Sequence, residues 1–256
     1  MNYTNLETFD TIYGKISLYK NEKFIINDFK NGKYWDIDTF LKLKQIINPN
    51  RNILEIGGHC GTSTILYASI LNKPYKVYVY EPQKNMFDLL LYNIKQNNLE
   101  NKIIAYNKAV FCDNIVLNMN NIDLDGGRGI VSKRYNEESN LKCNFGGIGL
   151  GVNGEKVNAI TIDEMKHDNI GFIHCDAQGA ENHIFSKATN MIKNNRPIIF
   201  FENNEKYGKY LYNNVCKSYP KYNEFSKFNL EKYCLHDLKY SHIFYKYGNQ
   251  DDLLIP

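Results

Sequence analysis

The chain has 256 residues, of which 43% are hydrophobic and 14% aromatic, and its formal net charge is +3. This length and composition predict a folded protein with a substantial core and exclude an intrinsically disordered chain. The small net charge gives no support for nucleic-acid binding. No apolar stretch approaches the ~20 residues that span a bilayer, so we expect no membrane partner.

The start of the chain, MNYTNLETFD, has neither the basic nor the apolar region of a secretory signal. Its cysteines show no C-x-x-C pair and no zinc-binding spacing. They are Cys60, Cys112, Cys143, Cys175, Cys216 and Cys234. We therefore expect a cytoplasmic, reducing location.

The first 50 residues are predicted to form a hairpin and a helix. Residues 11–28 read as two short strands joined at Lys20–Asn21–Glu22. The apolar spacing in IDTFLKLKQII (37–47) is mostly helical, and Asn48–Pro49–Asn50 ends the helix. We expect this extension, 1–50, to pack on the main domain, 51–256. There it either covers the functional site or has a purely structural role.

The stretch NILEIGGHCGTS (52–63) passes from an apolar strand through a glycine-rich turn into a helix. Such a connection presents a small charged ligand at the carboxyl end of a strand. Thr62 or Ser63 can cap the helix, whose first N–H groups point at the ligand. An ordinary strand-to-helix connection can show the same pattern, so this stretch alone does not distinguish a ligand-binding turn from a structural one.

The next strand, PYKVYVYEPQ (74–83), ends in an acid, Glu81. A carboxylate at this place can accept hydrogen bonds from both hydroxyls of a ribose. The glycine turn and this acid together predict a nucleoside cofactor. A nicotinamide cofactor is the weakest alternative, because the turn lacks G-x-G-x-x-G.

From residue 53 onwards strands alternate with helices, which predicts an α/β fold with a parallel sheet and helices on both faces. The predicted strands are 53–56, 76–80, 102–106, 170–175 and 197–201, and the helices lie near 62–71, 84–97 and 180–194. The segment 111–169 is an insertion, interpreted as an extra hairpin or lid or else as a surface loop. It contains DGGRGIVS (125–132) and FGGIGLG (145–151), neither of which has the context of a phosphate loop.

Several motifs carry a resemblance to known enzymes. E-I-G-G-H-C-G and YEPQ resemble motifs I and II of class I S-adenosylmethionine (SAM)-dependent methyltransferases. GFIHCDAQGAENHIF (171–185) is similar to the signature IKIDVEGAE of the FkbM family, whose members mostly methylate hydroxyl groups, often on sugars. VNAITIDEM (157–165), RPIIFFEN (196–203) and LLLYNIKQNNL (89–99) resemble the neighbouring elements of that family.

This resemblance covers residues 50–205 and implies a Rossmann-like, mostly parallel seven-stranded sheet. The last strand is then antiparallel, and HIFYKY (242–247) is the candidate for it. The implied cofactor is SAM, and its expected contacts lie in the loops that follow the strands. They are Glu55, Gly57, Gly58, His59, Gly61, Thr62, Ser63, Glu81, Pro82, Gln83, Asn107, Ala109 and Asp176.

A hydroxyl group is a poor nucleophile at neutral pH, so a base or a metal ion should assist methyl transfer. Asp176, Glu202 and Asn203 end adjacent predicted strands and resemble the magnesium ligands of catechol-type O-methyltransferases. Oxygen ligands of this kind suit Mg²⁺. In the alternative interpretation Asp176 contacts the SAM amine or the acceptor directly, and Glu202 caps the next helix.

Three further residues are catalytic candidates. His174 shares the strand face of Asp176 and stands where the family has Lys, either as a structural imidazole or as a base. His183, in the following helix, could reach the acceptor. Gln178 replaces the Glu of the family signature; we expect it to orient the acceptor by hydrogen bonds, while Asp176, with His174 or a metal ion, handles the proton. Glu181 retains the second acid of the signature.

These features predict a SAM-dependent O-methyltransferase that acts on a hydroxyl of a sugar, nucleotide sugar or glycosylated small molecule. The first alternative is a ribose 2′-O RNA methyltransferase, although the sequence has no basic run. The second is a SAM-binding protein without catalysis, because Gln178 lacks the charge of the family's Glu. The oligomeric state stays open, and a homo-oligomer is compatible with the sequence.

Overall fold

The structure is a computed structural model that describes residues 5–120, 142–217, 219–247 and 251–256. The predicted stretch DGGRGIVS (125–132) therefore lies outside the described residues. No helix in the described part of the chain is long and apolar enough to cross a membrane.

The elements follow one another along the chain as alternating strands and helices. The strands are β1 Leu6–Thr11, β2 Gly14–Tyr19, β3 Asn52–Ile56, β4 Val77–Tyr80, β5 Ile103–Tyr106, β6 Ala109–Val110, β7 Val116–Met119, β8 Leu150–Gly151, β9 Lys156–Ile160, β10 Ile170–Cys175, β11 Ile198–Glu202, β12 His242–Phe244 and β13 Asp251–Ile255. The helices are α1 Ile25–Lys30, α2 Ile37–Leu43, α3 Thr62–Ile70, α4 Lys84–Gln96, α5 Glu181–Phe185, α6 Thr189–Asn195, α7 Glu205–Leu211 and α8 Leu230–Lys232.

The main sheet has seven strands in the order β12-β13-β11-β10-β3-β4-β5. The five strands from β11 to β5 run parallel, while β13 is antiparallel to both of its neighbours. Every residue of β3 is buried, which requires cover on both faces of the sheet. The predicted α/β fold with a mostly parallel seven-stranded sheet is confirmed.

The N-terminal hairpin lies earlier in the chain than predicted. Its strands are β1 and β2, and the turn is at 12–13 and not at Lys20–Asn21–Glu22. The Thr11 hydroxyl donates to the Gly14 carbonyl oxygen at 2.6 Å and closes this turn. Residues 25–30 form α1 because the Glu22 carboxylate accepts from the Ile26 N–H at 2.9 Å at the start of the helix.

The last antiparallel strand was also assigned to the wrong segment. HIF (242–244) forms β12 at the sheet edge, and β13 is the strand that pairs with β11. β13 begins with two acids, which make the segment look polar in the sequence. Its apolar residues Leu253 and Leu254 are nevertheless fully buried. The helix predicted at 180–194 is divided into α5 and α6.

Hydrogen bonds join the first 50 residues to α4 and to the glycine-rich turn between β3 and α3. Asn93 on α4 accepts from the Ser17 N–H at 2.8 Å, and its amide group donates to the carbonyl oxygens of Ser17 and Cys60. The Tyr34 hydroxyl donates to the Thr62 carbonyl oxygen at 2.9 Å. The insertion contributes a smaller four-stranded sheet in the order β6-β9-β7-β8.

Candidate cofactor and acceptor site

The carboxyl ends of β3, β4, β10 and β11 line a cavity of about 750 Å³. This edge of a parallel sheet is where α/β folds bind small ligands. Many of the predicted site residues line it together. They are Gly57, His59, Thr62, Ser63, Glu81, Pro82, Gln83, Ala109, His174, Asp176, Gln178 and Glu202.

The glycine turn after β3 meets the end of β10 in the cavity wall. Gly57 has φ +89°, and a Cβ at this position would collide with the carbonyl oxygen of Asp176. Only glycine fits such an approach. Gly58 and Gly61 are not among the cavity-lining residues, and a Cβ at either position would lie against Leu90, so close packing requires glycine there. Their contact with a cofactor stays a prediction.

Glu81 is buried at the end of β4, and both of its oxygens accept backbone hydrogen bonds. The His59 N–H donates to Oε2 and the Gln83 N–H donates to Oε1, both at 2.7 Å. Each carboxylate oxygen retains a second lone pair toward a ligand. Burial raises the pKa of Glu81 to about 8, against the opposing effect of the two N–H donors.

His59 has the positive φ of +47°, which is unfavourable for a residue with a Cβ. Its Nε2 atom is buried and has no hydrogen-bond partner among the described residues. Burial lowers the pKa of His59 to about 4, so the imidazole is neutral at physiological pH. A neutral ring nitrogen in the cavity wall is available for a hydrogen bond to a bound cofactor.

Glu55 and Asn107 lie behind the cavity wall and support it. Ser63 Oγ donates to Glu55 Oε1, and Nδ1 of His174 lies 3.6 Å from the same oxygen. Burial lowers the pKa of His174, but Glu55 and Asp176 raise it more, and the net shift is upward. His174 is therefore placed as a counter-ion between carboxylates.

Asn107 Nδ2 donates to the carbonyl oxygens of Glu81 and Pro82 at 2.9 and 3.0 Å.

The loop after β10 brings Gln178 between two carboxyl groups. Gln178 Nε2 donates to Asp176 Oδ1 at 2.7 Å and lies 3.3 Å from Glu202 Oε2. Burial, then the neighbouring Asp176 and Glu181, raise the pKa of Glu202 to about 10. Glu202 therefore carries a proton at neutral pH, and it is not the helix cap of the alternative interpretation, since Asn204 accepts from the Lys206 N–H.

The predicted magnesium site does not fit these residues. Asn203 is exposed, and its Nδ2 donates to Asp252 Oδ2 at 2.6 Å, so its amide group is engaged outside the cavity wall. The amide N–H groups of Gln178 face Asp176 and Glu202, and an N–H donor cannot ligate a cation. Among the described residues, no group of three or more His, Cys, Asp or Glu side chains is arranged to hold a metal ion.

The assignment of His183 as a catalytic residue is also corrected. His183 is absent from the cavity wall and is buried, with its ring stacked on Phe111 at a centroid distance of 5.1 Å. Its Nε2 lies 3.3 Å from Cys216 Sγ. Burial lowers the pKa of His183 to about 4. The first turn of α5 directs this side chain into the core, so His183 stabilises packing.

Several wall residues were missed in the sequence. Phe24, Trp35 and Asp36 come from the N-terminal extension, and Asp251 comes from the start of β13. The glycine-rich segment 146–150 completes the wall beside Gln178. The adjacent aromatic residues at 34–35 were the feature of the sequence from which this part of the wall could have been predicted. We call Asp36, Asp176, Glu202 and Asp251 the acidic wall, because all four line the cavity. Burial raises the pKa values of Asp36, Glu202 and Asp251.

The buried acids predict that the unliganded protein loses stability as the pH rises from 6.5 to 8. Over this interval Glu81 and Glu202, with pKa values near 8 and 10, bind more protons in the folded state than in the unfolded chain. The free energy of unfolding should therefore fall, by up to about 1.4 kcal/mol per pH unit for each group. Urea unfolding at both pH values measures the change. Glu202→Gln should flatten it, and an increase in stability over the interval contradicts these assignments.

The fold and the cavity define a class I, SAM-dependent methyltransferase. The family model described as the methyltransferase FkbM domain matches residues 55–226, well over half of the chain. This chain belongs to the FkbM methyltransferase family. No curated protein matches it significantly in sequence.

Solved structures show likenesses in fold at low sequence identity. The methyltransferase FkbM from Methylobacillus flagellatus KT has a TM-score of 0.45 and 12% identity over 90% of this chain, which spans 60% of the length of that structure. The O-methyltransferase from Bacillus cereus in complex with SAH has a TM-score of 0.45 and 18% identity over 86% of this chain and 79% of its own. The tRNA (uracil-54, C5)-methyltransferase from Pyrococcus abyssi, in complex with S-adenosyl-L-homocysteine, has a TM-score of 0.43 and 9% identity over 98% of this chain and 44% of its own.

Proposed function

We propose that this chain transfers a methyl group from SAM to a hydroxyl of a sugar, nucleotide sugar or glycosylated small molecule. One observation carries the proposal: Asp176 lines the same cavity as Glu81 and the glycine turn at Gly57. A nucleoside held by Glu81 and an acceptor beside Asp176 would share that cavity. The cavity volume of about 750 Å³ is within the range of small-molecule sites.

The residues on the Glu81 side suit a nucleoside with a charged tail. The free lone pairs of Glu81 would accept from the ribose hydroxyls, and His59 Nε2 offers a further contact. The turn at Gly57 lets the cofactor approach the backbone at the start of α3. When bound, SAM supplies an electrophilic methyl group to this chemistry.

On the acceptor side, Asp176 is the proposed base. Its Oδ1 accepts from Gln178 Nε2, which fixes the carboxyl group and leaves Oδ2 for the acceptor hydroxyl. Gln178 then contributes only its Oε1 atom to orienting the acceptor. Trp35 and Phe24, which are 38% and 40% exposed, provide apolar surface for one face of a sugar ring.

The N-terminal extension, 1–50, is proposed to cover the acceptor side of the main domain, 51–256, together with the insertion at about 111–169. Phe24, Trp35 and the glycine-rich segment 146–150 all line the cavity, and the backbone of Glu22 pairs with that of Cys143, which joins the extension to the insertion. Closure of this kind would exclude water from the reacting groups and hold them in line.

The acidic wall disfavours the RNA methyltransferase alternative. Nucleic acids are bound chiefly through their phosphates, which need basic side chains. Here Asp36 and Asp251 line the cavity beside Asp176, and their carboxylates would repel a phosphate backbone. Among the proposed acceptors, the same repulsion favours a sugar or glycoside without phosphates over a nucleotide sugar. The alternative of a SAM-binding protein without catalysis is disfavoured because Asp176 faces the cavity and Gln178 holds it in place.

Transfer of radiolabelled methyl groups from SAM tests this proposal. We expect transfer to members of a panel of free sugars, amino sugars, nucleotide sugars and glycosides, and none to capped RNA. Transfer to RNA alone would support the first alternative. Tight SAM binding without transfer to any acceptor would support the second.

A further inference from the structure

The amide group of Gln178 bridges two carboxyl groups from a single atom. Its Nε2 lies 2.7 Å from Asp176 Oδ1 and 3.3 Å from Glu202 Oε2. A glutamine amide carries two N–H groups on this nitrogen, so one side chain can donate to both acids. The amide nitrogen thus occupies the position between two strand-end carboxyl groups where a bridging cation would bind.

The surrounding backbone fixes where this amide can lie. Gln178 has φ +53° and is followed by Gly179 at φ +96°, where a Cβ would collide with the backbone of Tyr207. A Cβ on Gly149 would lie 3.0 Å from the Cβ of Gln178, so the insertion packs closely on the other side. Glu181 Oε1 accepts from the Ala177 N–H at 2.8 Å and closes the turn. The positive φ of Gln178 is therefore maintained by its neighbours.

The charges around this position explain why a donor is needed there. Asp36 and Asp251 line the cavity together with Asp176 and Glu202. On the sheet, Asp251 is the register partner of Glu202. The repulsion between such carboxyl groups is offset by protonation, as at Glu202, by hydrogen bonds, or by a positive charge. The basic groups in the wall are His174, which is near Glu55, and the lysines at 108 and 206.

We infer that Gln178 is a positioning residue that takes the place of a divalent cation, holding Asp176 and Glu202 together by hydrogen bonds so that the chain needs no metal ion there. This role of Gln178 explains why the predicted magnesium ligands do not agree with the observed contacts. The role of Asp176 as a base rests on the proposed function, but the bridging role of Gln178 does not. Gln178→Glu should place a third carboxyl group at this point and create a cation site.

Binding of Mn²⁺, followed by calorimetry and electron paramagnetic resonance, tests this inference without any substrate. Gln178→Glu should bind Mn²⁺ saturably at roughly millimolar concentration or below. The parent protein and the control Gln45→Glu, which adds a carboxyl group at an exposed position, should not bind it saturably. Equal binding by the parent and Gln178→Glu, or no binding by a folded Gln178→Glu protein, would overturn the inference.

Gln178→Ala provides a second test if Gln178→Glu does not fold. In EDTA the parent should keep its full methyl-transfer rate, whereas Gln178→Ala should lose roughly 10²-fold in kcat with an unchanged KM for SAM, because Asp176 is no longer aligned. Loss of the parent's activity in EDTA, or full activity of Gln178→Ala, contradicts the inference. A parent that binds no SAM and transfers no methyl group would instead reject the proposed function, while the Mn²⁺ titration would still decide the role of Gln178.

Discussion

Asp176→Asn is expected to reduce kcat for methyl transfer by roughly 10²–10⁴-fold, the usual effect of removing a general base. Asparagine keeps the size of the side chain, and its oxygen can still accept from Gln178 Nε2. What it loses is the capacity to take a proton from the acceptor hydroxyl. The loss should therefore appear in kcat, with little change in the affinity for the cofactor.

The measurement is radiolabelled methyl transfer at saturating SAM, together with a calorimetric titration of the demethylated product, S-adenosylhomocysteine. Asp38→Asn is the matched control, since it removes a carboxylate whose side chain is 76% exposed. That control should transfer methyl groups at the parent rate. An Asp176→Asn protein with the parent kcat would show that another group accepts the proton.

The parallel strands were predictable because each is a short apolar run with a polar boundary. β10 was predicted with its observed bounds, 170–175. The predicted starts of β3, β4 and β5 differ by one residue from the observed ones, and β11 was predicted one residue too early at both ends. Five of the six residues of β10 are buried, and the half-buried position is His174, the one polar residue of the strand. A strand that is buried on both faces is therefore a nearly continuous apolar run, which can be recognised from its own sequence.

Elements that depend on distant partners were not predictable in this way. β13 begins with Asp251 and Asp252 and is a strand because it pairs with β11 across about 50 residues of chain. The N-terminal hairpin depends on the Thr11–Gly14 turn, whose hydrogen bond carries little sequence signal. In both cases polar residues within the strands obscure the apolar alternation that would predict a strand, and the hydrogen bonds of these residues are made with distant parts of the chain.

The cavity residues proposed to bind the cofactor belong to motifs that are visible in the sequence, whereas most of those on the proposed acceptor side do not. Gly57 and Glu81 each end a strand, so their position at the sheet edge follows from the fold class. Trp35 and Asp251 are far apart in sequence and line the same cavity only because the extension and β13 flank the same sheet edge. The orientation of His183 depended on the phase of a five-residue helix, which a spacing argument could not determine.

Calorimetric titration of S-adenosylhomocysteine into the parent protein and into Glu81→Ala tests cofactor binding most directly. The parent should bind one molecule per chain. Glu81→Ala should bind more weakly by about 1–3 kcal/mol, or roughly 5- to 150-fold, because the hydrogen bonds between this carboxyl group and the ribose hydroxyls are lost. Glu100→Ala, an exposed acid beyond α4, is the control and should bind like the parent.

Thermal unfolding of each variant should accompany the titration, because Glu81 also accepts from the His59 and Gln83 N–H groups. A folded Glu81→Ala protein with weakened binding is the result that we predict. Unchanged affinity in that variant, or a parent protein that binds no S-adenosylhomocysteine, would contradict the assignment of this cavity as the cofactor site.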